Sequence, residues 1–283
     1  MASQRDIRRR IGAVRNIKQI TRAMQFVAAS KLRRAQEATL ASRPYREKID
    51  EVLADLAAVL SAEDHPFLAG KADGKRLIVL VTTDRGLAGP LNSNTIRFAA
   101  RKITEQPGDI ALVTVGRKGR DGMRRFRLPM EAHFAGFGDR PAFADVLPLG
   151  RLISEDFLSG DYAQIDLIYS RFVSTLVQRP VVEQLLPVEP AADTEGIPGN
   201  QFIFEPSPAA VLEQLLPRYV ATRLFQAVLE SKASEESSRM VAMKNATENA
   251  EDLIDDLTLS YNKVRQSNIT REMIEIATGA QAR

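Results

Sequence analysis

The sequence predicts an α/β fold: a long antiparallel two-helix coiled coil formed by the N- and C-terminal helices, with a doubly wound α/β (Rossmann-like) domain inserted between them. Three observations carry this. From Arg218 to Thr278 there is neither Gly nor Pro, a run several times longer than the roughly dozen residues of an average globular helix. Within it Met240, Met243, Thr247, Ala250, Ile254, Leu257, Tyr261 and Val264 alternate steps of three and four, the heptad seam of a left-handed supercoil. The middle of the chain alternates short apolar runs with helical stretches, the pattern of a doubly wound sheet.

The expected boundaries are an N-terminal coiled-coil helix over 1–60, an α/β base over 76–205, and a C-terminal helix over 207–283 that ends in a single-helix tip. Ser3 and Asp6 stand at capping-box spacing. Ile7, Ile11, Val14, Ile17, Ile20, Met24, Val27, Ala28, Leu32 and Ala35 follow at helical spacing, with an apparent phase slip between Val14 and Ile20. Pro44 is expected to kink this helix without ending it. This helix is strongly basic, carrying Arg8, Arg9, Arg10, Arg15, Arg22, Arg33 and Arg34 among others. Such a run is either a solvated face or a surface for an acidic partner.

Residues 61–75 read as a linker. Strands are expected at 76–83, 109–115, near 130–135 and at 164–172, with Val181–Leu186 as a further edge strand. Helices are expected over 91–105 and about 141–160, and a short basic one after 115. Residues 187–200 read as a loop, and Phe202–Phe204 as a short extended piece. Ser207 and Pro208 read as the N-cap and first turn of the C-terminal helix. Pro217 should bend its start, and Gly279 reads as its stop. Antiparallel pairing of the two helices from one base makes paired residue numbers sum to roughly 265, with a shaft of roughly 80 Å. The C-terminal helix then loses its partner near Val264, where the seam ends.

Composition narrows the function. Among the 283 residues 44% are hydrophobic and 27% charged, ordinary for a soluble protein. There are no cysteines, which excludes disulfides, thiolate metal sites and cysteine nucleophiles. His65 and His133 stand far apart without a carboxylate cluster, so no metal or other cofactor is expected. No apolar run reaches the ~20 residues of a membrane span. The N-terminus lacks the apolar core of a signal peptide, so a cytoplasmic-side protein is expected. Gly116-Arg-Lys-Gly-Arg-Asp-Gly122 lacks both the dinucleotide spacing and the Lys-Ser/Thr of a phosphate loop. Asp84-Arg-Gly-Leu-Ala-Gly-Pro-Leu-Asn92 reads as a tight strand-to-helix turn. A basic coiled-coil adaptor for nucleic acid and an enzyme built on the α/β domain are the competing readings.

Ile17–Lys31, Thr83–Asn92, Arg239–Thr247 and Tyr261–Thr270 through Ile276 are long, specific stretches. On them the chain resembles the gamma subunits of F-type ATP synthases over essentially its whole length. The resemblance implies a central rotor stalk with no catalytic residue of its own. Its implied partners are the alpha and beta subunits of the catalytic head, the epsilon subunit and the membrane c-ring, with one copy per complex and no nucleic acid. The stalk would couple proton flow through the membrane sector to ATP synthesis or hydrolysis. It would lie peripherally on the cytoplasmic face of a bacterial cell membrane. It implies contacts to beta subunits at Met24, Arg239, Arg265, Gln266 and Thr270, and a contact to the rotor ring or epsilon at Glu205. Ala88 and Pro90 depart from the Cys and Gly usual in that family's turn. The absence of Cys removes the thiol control of chloroplast members.

Overall fold

A computed structural model describes residues 3–59, 66–68, 74–105, 108–188 and 204–281. Most of the linker expected over 61–75, His65, the loop beyond residue 188, and Phe202 and Ile203 lie outside the described residues. Two compact units are present: residues up to Ala28 together with those from Arg239 onward, and Ala29–Ser238.

The larger unit is a five-stranded sheet with helices on both faces. Its chain order is β1 (Lys75–Val81), α2 (Leu91–Glu105), β2 (Ile110–Val115), α3 (Arg117–Met123), β3 (Met130–Phe134), α4 (Phe143–Leu158), β4 (Tyr162–Phe172) and β5 (Gln178–Leu186). Before β1 runs α1 (Gln4–Val59), and after β5 runs α5 (Pro208–Gln281). The strand order is β3-β2-β1-β4-β5. β1 pairs in parallel with β2 and β4, β2 pairs in parallel with β3, and β5 joins β4 antiparallel as an edge.

The central strands are continuous apolar runs because both their faces are covered. Leu77, Val79, Val81, Val113, Val115, Ile165 and Leu167 meet Val146, Leu149, Ile153 and Phe157 of α4 on one face. The same core takes in Ile49, Leu53 and Leu56 of α1, and Leu212, Leu216, Val220 and Leu224 of α5. Alternate residues Ile78, Leu80, Leu112 and Ile168 face the other way, onto Ile96 and Ala99 of α2 and Met123 of α3. The helical segments nearest the sheet are thus part of its core.

One local expectation is corrected. Helix α5 does not stop at Gly279 but runs to Gln281, because a single Gly costs a helix only about 1 kcal/mol. Helix α1 runs on through Pro44 without ending, as expected, and α5 runs on through Pro217. At Pro217 packing supplies the reason: Leu216, Tyr219 and Val220 beside it are all buried, and tertiary burial overrides local propensity. The helix starts follow the expected caps. Ser207 Oγ accepts the backbone N–H of Ala210 at 3.3 Å. Ser3 Oγ accepts that of Asp6 at 3.2 Å and donates to the Asp6 carboxylate at 2.9 Å.

Candidate functional site

The smaller unit is built from the first half of α1 and the last part of α5. Its register is fixed by three side-chain pairs: Gln4 Nε2 donates to Tyr261 Oη at 3.0 Å, Lys18 Nζ pairs with Glu251 at 2.6 Å, and the hydroxyls of Thr21 and Thr247 meet at 2.8 Å. The pairing is antiparallel and lies within one turn of the expected register. Met243 and Ala250 are buried, and Met240, Thr247, Ile254, Leu257, Tyr261 and Val264 are half-buried. Most positions between them are exposed.

The phase slip expected in α1 is a second correction. Ile7, Ile11, Val14, Lys18, Thr21, Gln25 and Ala28 are buried or half-buried, so the seam keeps its heptad phase. Lys18, Thr21 and Gln25 occupy seam positions although polar, since long polar side chains can flank a seam and Thr21 has a hydroxyl partner. Ile17 and Ile20 point outward instead, 51% and 58% exposed. With Phe26 and Val27, also exposed, they give α1 an outward apolar surface among the exposed Arg8, Arg9, Arg10, Arg15 and Arg22.

Past Val264 only Asn268 is half-buried; the other described side chains are exposed, including Ile269, Met273, Ile274 and Ile276. Four large apolar residues are thus exposed at one helical end. In the free chain, amide hydrogens beyond residue 265 should exchange much faster than those of 240–264, because no second helix protects them. Equal protection of both segments, measured by hydrogen–deuterium exchange, would contradict this arrangement.

The residues named from the family resemblance are distributed as follows. Met24 is half-buried in α1 and Arg239 is buried in α5, both in the smaller unit and within two turns of each other along the shared seam. Arg265, Gln266 and Thr270 are exposed on the unpaired end of α5. Glu205 is exposed just ahead of α5 in the larger unit.

The larger unit has a crevice of about 290 Å³ at the C-terminal ends of β1 and β2, where doubly wound folds place ligands. Its chemistry is already committed internally. The Asp84 carboxylate accepts the backbone N–H groups of Arg117, at 3.0 Å, and Gly136, at 2.8 Å. These are donors that a phosphate would need. Thr82 Oγ1 accepts the N–H of Gly119 at 2.8 Å and donates to Val115 O at 3.0 Å. Lys232 pairs with Glu235 at 3.0 Å, Glu236 at 3.4 Å and Asp139 at 3.6 Å. Asp84 thus takes the Arg117 and Gly136 backbone donors itself. Among the described residues no group of three or more His, Asp or Glu could hold a metal ion.

Asp139 also receives Lys31 of α1 at 2.7 Å. The hydrogen bond from Lys31, aided by the charges of Lys232 and Arg85 and opposed by partial burial, holds its carboxyl below the ordinary range. A depressed folded-state pKa contributes stability above the unfolded pKa and loses it as pH falls through the folded value. Asp139→Asn should therefore melt below the parent at pH 7, with the gap closing as pH falls through the folded value, below the ordinary carboxylate range. Thermal melts from pH 7 down into the acid range check this.

Sequence periodicity missed one stretch. Ser231, Ser234, Glu235, Glu236, Ser237, Ser238 and Arg239 are strongly polar yet all buried. The one sequence signal was their position inside an unbroken helix between two apolar patterns.

A family model described as ATP synthase matches residues 3–282. An ATP synthase gamma chain from Dehalococcoides mccartyi is 50% identical over 286 residues, covering all of this chain and 99% of that one. Another from Chloroflexus aurantiacus is 48% identical over 288 residues, with the same coverage. The fold is shared with a chain in the cryo-EM structure of the Euglena gracilis mitochondrial ATP synthase OSCP/F1/c-ring, with a TM-score of 0.71 and 22% identity, covering 99% of this chain and 94% of that one. The chain belongs to the ATP synthase gamma-chain family.

Proposed function

We propose that this chain is the central rotor stalk of an F-type ATP synthase, coupling proton flow through the membrane sector to ATP synthesis or hydrolysis in the alpha/beta head. The observation that carries this is the helical end of α5. It continues past its partner helix with Ile269, Met273, Ile274 and Ile276 exposed, and an apolar helical end requires a surrounding collar. The alpha and beta subunits supply that collar. Met24, Arg239, Arg265, Gln266 and Thr270 face beta subunits, and Glu205 meets the c-ring or epsilon. One copy serves each complex.

The chain itself is non-catalytic, since the crevice's donors are taken by its own Asp84 and Thr82. Among the described residues no helix is long and apolar enough to cross a membrane, in keeping with peripheral attachment at the cytoplasmic face of a bacterial membrane. The exposed arginines of α1 complement acidic surfaces of the head.

The test is a pull-down of the tagged chain from detergent-solubilised source membranes, with identification of the captured subunits. Alpha, beta and c subunits in fixed ratio to the chain are the expected result. A chain recovered without them overturns the reading.

A further inference from the structure

A shaft that transmits torque must be fixed against turning at the place where it leaves its base. The apolar driving force is non-directional, whereas hydrogen bonds and ion pairs in a buried setting are directional. In the larger unit α5 makes both kinds of contact with the sheet. Its apolar contacts, from Leu212 to Val228, belong to the main core. Just beyond them the contacts become polar.

The polar contacts lie on one stripe. Gln226, Glu230, Ser234 and Ser237 advance by four, four and three residues, so they share a helix face. Gln226 Oε1 accepts Ser42 Oγ of α1 at 3.1 Å, and its Nε2 donates to Glu230 Oε1 at 3.3 Å. The other oxygen of Glu230 faces Arg171 Nε of β4 at 4.0 Å and accepts no hydrogen bond among the described residues. Arg171 in turn is held by Glu183 of β5, which also accepts Tyr169 Oη at 2.9 Å. Ser234 Oγ donates to Ser170 O at 2.9 Å, and Ser237 Oγ donates to Thr175 O at 2.7 Å in the turn between β4 and β5. One helix face is thus stitched to α1, to two strands and to their connecting turn.

We propose that this stripe is the torsional joint of the stalk, with Glu230, Ser234 and Ser237 as positioning residues that lock α5 to the β4–β5 hairpin. The proposal rests on the rotor-stalk reading. Glu230 is the charged member of the stripe. Its side chain is 13% exposed. Burial pushes its carboxyl above the ordinary range, and the charge of Glu183 adds to that, against Gln226, Arg171 and Arg46. With the folded pKa above the unfolded one, the ionised carboxylate costs stability at neutral pH, and the cost disappears as pH falls through the folded value.

The experiment uses the assembled complex in phospholipid vesicles, carrying Glu230→Gln, or the triple variant Glu230→Gln, Ser234→Ala, Ser237→Ala. ATP hydrolysis and ATP-driven proton pumping are measured together. The expected result is hydrolysis close to the parent with loss of most of the pumping per ATP in the triple variant and a partial loss in Glu230→Gln. At pH 7 the free Glu230→Gln chain should melt no lower than the parent, which separates a positioning role from a merely structural one. Pumping per ATP equal to the parent in the triple variant overturns the joint. So does a loss of melting temperature that accounts for the loss of pumping.

Should the triple variant fail to assemble, hydrogen exchange on the free chain decides. Amides of 226–238 should exchange faster than in the parent while β1 and β2 stay protected. Unchanged exchange over 226–238 overturns the joint. An unaltered chain that supports no pumping overturns the rotor reading, and the joint with it; only the variant arm bears on the joint alone.

Discussion

Ala250→Pro should uncouple the complex while leaving ATP hydrolysis largely in place. Ala250 is 6% exposed in the middle of the α5 seam, flanked by the Thr21–Thr247 and Lys18–Glu251 pairs. It lies opposite Lys18, one turn from the Arg15 that the sequence arithmetic selects. Pro removes a backbone hydrogen bond and clashes with the carbonyl four residues earlier, costing about 3 kcal/mol or more. A bent helix cannot keep a 3.5-residue seam in register on both sides of the bend. The α/β unit does not include this residue and should fold unchanged. The readout is proton pumping per ATP hydrolysed, on assembled complexes in vesicles. Pumping per ATP equal to the parent would show that the seam is not the transmitting element.

Gly116→Val should strongly destabilise the α/β unit. Gly116 ends β2 with φ +91°, a conformation that non-Gly residues adopt only with strain. A Cβ there would lie 2.3 Å from the carbonyl oxygen of Thr82 and 2.9 Å from its Oγ1. Thr82 is fixed by its backbone bond to Val115 and its hydroxyl bonds to Val115 and Gly119, so it cannot give way. The backbone strain costs roughly 1–3 kcal/mol and the overpacking roughly 1–3 kcal/mol more, together a large share of a typical domain's stability of ~5–15 kcal/mol. Gly136→Ala is the control. It shares a positive φ, +85°, but an added Cβ meets nothing within 4 Å, so only the strain remains. Soluble yield and melting temperature should fall steeply for Gly116→Val and mildly for Gly136→Ala. Similar losses for both would mean that the close approach to Thr82 is not what requires Gly116.

The two halves of the candidate site were unequally visible from residue patterns. The α5 seam was legible because a heptad repeat records a long-range contact in local spacing, and β1, β2 and β4 were legible because strands buried on both faces are continuous apolar runs. The end of the paired region near Val264 followed from helix lengths alone. The α1 seam was misread because Lys18, Thr21 and Gln25 stand on it, and an apolar count assigns Ile17 and Ile20 in their place. Asp84 could be placed in a turn, but its role of holding the N–H groups of Arg117 and Gly136 depends on loops after β2 and β3 meeting the end of β1.

By itself, then, the sequence determined the fold class, the order of its elements, the seam from Met240 to Val264 and, through long specific motifs, the family. Tertiary structure alone decided which polar residues are buried. Glu230, Ser234, Glu236 and Ser237 are polar residues inside an unbroken helix, yet each is buried or nearly so. The physical reason is that apolar burial follows a residue's own chemistry and so leaves a periodic trace. Burial of a hydroxyl or a carboxylate is tolerated only where a partner waits, and here those partners, Ser170 O, Thr175 O and Arg171, come from a hairpin some sixty residues earlier in the chain.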